Sequence, residues 1–215
     1  QYNHIRFTRK PGTTEAYSAI YLNAATNESR IVWADIEYGG GKTVGSHNAT
    51  LFSNGGSKLY VDHCQFTNSD AEYFSADTSS FIIANSYFQT YSKPAGYPPA
   101  NGTGGFGRPE MLHGVGGLPA GGYGIFRGNV FGHTYGFNDI IDFTGGNRAN
   151  AITQYIDNIF TAATDDCLDL DSTDAFIAGN VFMHTHQDPA RTDIVDTGSC
   201  ISGGNDTADI SEWTM

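Results

Sequence analysis

Two short stretches carry the side chains best placed for chemistry. They are Asn138-Asp139-Ile140-Ile141-Asp142-Phe143 and Asp165-Asp166-Cys167-Leu168-Asp169-Leu170-Asp171. Asp139 and Asp166 lie 27 residues apart. In a strand, alternation buries Leu168 and Leu170 and turns Asp169 outward, and Ile141-Asp142-Phe143 does the same for Asp142. If the two strands are neighbours, Asp139 stacks on Asp166 and Asp142 on Asp169. Carboxylates about 5 Å apart repel, so something must compensate. Three readings stay open. A hard cation such as Ca²⁺ takes oxygens from Asp139, Asp142, Asp165, Asp166 and Asp169. Alternatively, close carboxylates split their pKa values into an acid and a base. In the third reading the acids are simply solvated turn residues at strand ends. One repeat away on either side, His113 and Ser202 fall in the same column.

The elements that position these acids follow from a repeat. Two or three apolar residues, two variable ones, a small or amide residue, any residue and an aromatic recur along the chain. Copies are Tyr60-Val61-Asp62-His63-Cys64-Gln65-Phe66, Ile82-Ile83-Ala84-Asn85-Ser86-Tyr87-Phe88, Ile125-Phe126-Arg127-Gly128-Asn129-Val130-Phe131, Tyr155-Ile156-Asp157-Asn158-Ile159-Phe160 and Phe176-Ile177-Ala178-Gly179-Asn180-Val181-Phe182. Weaker copies end at Phe7 and Tyr38. The closing aromatics are never closer than 22 residues. Three short strands and three bends close one turn of a coil in about 20–25 residues, and longer gaps are loops bulging from a bend. Asn129, Asn158 and Asn180 share one register, so an amide stack at one bend is expected. The 27 glycines and absence of a sustained helix-period stripe agree with many short strands. The expectation is an all-β, right-handed parallel β-helix of about seven to eight rungs, one domain over residues 1–215. Neither end carries a visible cap, which predicts a segment of a longer protein and end-to-end self-association.

Residues 91–122 are rich in Pro and Gly and read as a long loop insertion. It carries Tyr97, Phe106, Arg108 and His113, either as a lip over a groove or as a bulge. His184-Thr185-His186 puts two rings on one strand face, but no third metal ligand accompanies them. Cys167 and Cys200 align on neighbouring rungs, close enough to pair under oxidising conditions, and Cys64 takes the amide register as a buried thiol. The net charge of −12 excludes a phosphate-backbone binder and disfavours an anionic membrane surface. No apolar run approaches the ~18 residues of a membrane span.

The repeated apolar-Asn-x-Phe rung resembles right-handed parallel β-helix proteins of the pectate-lyase-like superfamily, from Ile5 to about Gly204. Locally, Asp165-Asp166-Cys167-Leu168 is similar to the Asp-Asp-Cys strand of polygalacturonase-type glycoside hydrolases, and Asn138 to Asp142 to their Asn-Thr-Asp rung, without the Thr. That resemblance implies Asp165 as general acid, with Asp139 and Asp166 activating water. It departs at Ser202-Gly203-Gly204-Asn205, where those enzymes carry Gly-His-Gly. A lyase of the same fold needs Ca²⁺ and a cationic base. Arg148 is then the candidate base, although a surface ion pair with one of these acids is the commoner role for such an Arg. The resemblance implies an extracellular or cell-surface protein that binds or degrades an acidic or neutral polysaccharide. His113, Asp142, Asp169, Arg108 and Tyr97 would contact the sugar, and Asp139, Asp142, Asp166 and Asp169 would hold Ca²⁺. The competing expectation is a non-catalytic structural or adhesive solenoid.

Overall fold

The computed structural model describes residues 4–45, 47–92, 110–136, 138–146, 148, 150–185 and 198–204, together with the backbone of 213–214. These residues contain 21 strands and no helix. The strands form three seven-stranded sheets, and every strand pairing within them is parallel. Sheet I begins with Ile5–Phe7, sheet II with Ile20–Asn23 and sheet III with Glu28–Val32. The chain then visits II, III and I in strict rotation. One turn is Glu72–Asp77, Ser80–Ala84 and Tyr87–Phe88, and the next is Leu112–Val115, Gly124–Arg127 and Val130–His133. Each strand lies beside the strand one turn away, which makes the molecule a parallel β-helix.

Side chains of like kind stack along the axis because the register is conserved from turn to turn. In sheet I, Phe7, Ile36, Phe66, Phe88, Phe131, Phe160 and Phe182 form one column. Its rings stack at 4.7–4.9 Å from Phe66 to Phe182. In sheet III, Ile31, Val61, Ile83, Phe126, Tyr155 and Ile177 form a second column. Ile20, Leu51, Phe74, Leu112, Ile141, Leu168 and Ile201 form a third in sheet II. The three columns meet in one continuous apolar core.

The bend from sheet III to sheet I repeats as well. A left-handed residue (Trp33, His63, Asn85, Gly128, Asp157 or Gly179) opens it, with φ between 47° and 68°. A ladder residue follows. Asn129 Nδ2 donates to the Ile83 carbonyl at 2.8 Å and Asn158 Nδ2 to that of Phe126 at 3.0 Å, while their backbone N–H groups donate to the next amide, Asn158 Oδ1 and Asn180 Oδ1. Ser86 and Cys64 continue the same stack, and Cys64 is a buried free thiol. The expected amide register is therefore present and saturates the bend's backbone groups.

Within residues 91–122 the structure differs from a simple loop. Leu112–Val115 is a full member of sheet II, paired on both sides. Its glycine content has a packing cause: a Cβ on Gly114 would sit 2.1 Å from the Phe143 ring, which fills that space from the next rung.

Candidate functional site

Sheet II carries most of the candidate side chains on its outer face. Tyr21, Phe52, Ser75, His113, Asp142, Asp169 and Ser202 form the outward column. Asp142 pairs with Asp169 across the register, His113 flanks Asp142 and Ser202 flanks Asp169, as the spacing requires. At the strand entrances a second column runs through Asp139 and Asp166. The Asp166 N–H donates to Asp139 Oδ1 at 2.9 Å, and the Ser199 N–H donates to Asp166 Oδ1. Each acid thus caps the backbone of the following rung.

These are not freely solvated carboxylates. Asp139 and Asp166 are each only 8% exposed. Oxygens of Asp139, Asp165 and Asp166 lie within 4.8 Å of one another, and so do those of Glu110, Asp139 and Asp142. Burial, reinforced by the charges of Asp165, Asp169 and Asp166, raises the Asp139 pKa to about 9 against the pull of the Asp166 N–H. Asp142 is raised to about 6, chiefly by burial and opposed by His113. Asp169 is raised to about 7, again by burial first, and its Oδ1 is buried without a hydrogen-bond partner. The cluster therefore holds protons at neutral pH or holds a cation.

Three participants were not singled out by the sequence reading. Glu72 and Glu110 enter the column from earlier rungs, and His47 reaches it from the loop before the strand Ala49–Asn54. A signal for the two glutamates exists. Glu72-Tyr-Phe, Glu110-Met-Leu, Asp139-Ile-Ile and Asp166-Cys-Leu all place an acid before two apolar residues at the entrance of a sheet II strand. His47 has no such signature, because a loop contact sets its place.

The remaining candidates fall elsewhere. Arg148 sits at the bend after Phe143, where its backbone N–H donates to Asp174 Oδ2 at 2.6 Å and its Nε stands 4.0 Å from the same oxygen. The structure thus places Arg148 beside Asp174, whose side chain is buried. Tyr97 and Arg108 lie outside the described residues, as does His186. Cys167 and Cys200 occupy adjacent rungs, flanking the Leu168–Ile201 pair, and both are free thiols.

Comparison of the chain with known protein families, curated proteins and solved structures returned no match. The parallel β-helix accordingly rests on the sheet topology itself, and the acid columns are what any functional reading must explain.

Proposed function

We propose that the chain is a polysaccharide-binding or polysaccharide-degrading β-helix protein of the extracellular or cell-surface space, acting along the outer face of sheet II. The observation that carries this is the clustering of Asp139, Asp165 and Asp166 within 4.8 Å, two of them buried. An all-oxygen donor set of this kind suits Ca²⁺. Bound there, Ca²⁺ would neutralise the acids and bridge to the carboxylates of a uronate polymer. His113, Asp142 and Asp169 continue the face along the axis, so successive sugars meet successive rungs. Tyr21, stacked on Phe52 at 5.1 Å and partly exposed, offers an apolar end to the same face.

The burial that raises Asp139 also defines the hydrolytic variant of this reading. In the absence of a cation Asp139 keeps its proton, and it becomes the proton donor, the role the sequence resemblance gives to Asp165. Calorimetric titration with Ca²⁺, then reducing-end and double-bond assays on polyuronates and neutral glycans, separates the outcomes. Micromolar Ca²⁺ binding with Ca²⁺-dependent glycan affinity supports the cation-bridged reading, and activity without Ca²⁺ supports hydrolysis. Asp166→Asn abolishes either. Absence of Ca²⁺ binding, glycan binding and cleavage together overturns the proposal in favour of a structural solenoid.

A further inference from the structure

A second donor set lies at the other end of the acid column and differs in chemistry. His47, Glu72 and His113 each present one ligand atom, all within 4.8 Å of one another. Two imidazoles and one carboxylate are a poor match for Ca²⁺, which takes oxygens, and a good one for zinc-class ions.

The surroundings fit a ligand role for each residue. Glu72 is 6% exposed, and its Oε2 is buried with no hydrogen-bond partner. A buried carboxylate oxygen left in that state is costly unless something else satisfies it. His113 turns Nδ1 toward Glu72 Oε1 at 3.6 Å and Nε2 toward Asp142 Oδ2 at 3.8 Å, both beyond ordinary hydrogen-bond length. One ring nitrogen thus faces the donor set while the other faces a carboxylate, the arrangement that orients a metal-bound histidine. The His47 and His113 rings meet edge to face, 5.1 Å apart at 86°.

His47 is held in place from the other side. It packs against the Phe52 ring at 5.2 Å, and its backbone closes an antiparallel bridge with Val44. Gly45 has φ of 62°, and a Cβ there would lie 2.9 Å from the Phe52 ring. The loop therefore lies flat on sheet II and delivers His47 over the strands of Glu72 and His113. Around a tetrahedral ion with ~2.0–2.1 Å bonds the donors stand about 3.3 Å apart, inside the 4.8 Å within which these three atoms already gather.

We propose that His47, Glu72 and His113 form a binding site for one zinc-class divalent ion, which ties His47 to sheet II and leaves a coordination position for water or a sugar oxygen. This inference is independent of whether the chain acts on polysaccharides. The test is titration of the chelator-stripped protein with Zn²⁺ against a chromophoric competitor, paired with Co²⁺ absorption spectra. The expected result is one equivalent bound with sub-micromolar affinity and visible Co²⁺ bands of a four- or five-coordinate N/O site. His47→Ala and His113→Ala, checked for unchanged circular dichroism, weaken binding at least 100-fold and remove those bands. Glu72→Gln weakens it at least tenfold. Asp166→Asn and Cys200→Ser leave it within twofold. No stoichiometric Zn²⁺ uptake, or uptake that survives His47→Ala, overturns the site. Because His47 lies on a surface loop, that variant remains informative if the His113 or Glu72 variants fail to fold.

Discussion

At the residue scale, Asp139 sets the pH behaviour of the metal-free protein. Its folded pKa of about 9 stands far above the value near 3.8 for a solvated Asp. Between those limits the folded state binds a proton that the unfolded state has lost, so stability falls as pH rises. Asp142 and Asp169 act in the same direction but complete their change near pH 6 and 7. His113, raised by Glu72 and Asp142 despite its burial, adds stability below the ordinary histidine pKa, and this is lost as its folded form deprotonates. With EDTA present, Tm is predicted to decline steadily from pH 7.5 to 8.5, where Asp139 is the acid still titrating. Asp139→Asn flattens that limb. A decline of equal slope in the variant, read by scanning calorimetry, would remove Asp139 as its source. The same residue was legible from its spacing, since 27 residues set it one rung before Asp166. Its burial was not legible, because that is set by packing between turns, and Glu110 arrives beside it from another turn.

At the scale of elements, the coil is specified by what each rung offers the next. Asn158 is the clearest case. Its side chain receives the Asn129 N–H, donates to the Phe126 carbonyl and contacts Asn180. Asn158→Ala orphans several buried groups at once and is predicted to cost about 3 kcal/mol in denaturant unfolding. A loss under about 1 kcal/mol would mean that water replaces the amide. Gly114 makes the complementary point in sheet II. Gly114→Ala drives a methyl into the Phe143 ring and is expected to cost about 2 kcal/mol. Phe143→Leu, itself destabilising, should recover part of that loss when combined with it. Additive losses in the double variant would show that the clash relaxes by another route. Glycine in this strand resembles loop composition when read locally, and only its partner on the next rung reveals the reason for it.

For the whole molecule, the net charge of −12 and the concentration of carboxylates on one sheet make self-repulsion a standing cost. Added NaCl is predicted to raise Tm modestly by screening the exposed acids. Millimolar Ca²⁺ should raise it further at matched ionic strength, through mass action on the folded state. Equal shifts from Ca²⁺ and from NaCl, compared by thermal melts, would reduce the acid columns to surface charge. Asp166→Asn should abolish the Ca²⁺-specific part and keep the salt effect.

The sequence by itself determined the coil, because each rung repeats a local pattern. The aromatic column, the amide ladder from Asn129 to Asn180, and the facing of Asp142 and Asp169 are all consequences of strand alternation and a local motif repeated once per turn. Tertiary structure decided what sits beside those columns. Parallel stacking brings Glu72, Glu110, Asp139 and Asp166 to the entrances of successive strands, although loops of unequal length separate them in the chain. A loop folding back over Phe52 places His47 against His113, 66 residues further on. Periodicity reports the residues a rung supplies. The depth at which a carboxylate is buried, and the ring that reaches it from a loop, depend on packing between turns, and that packing leaves no period in the sequence.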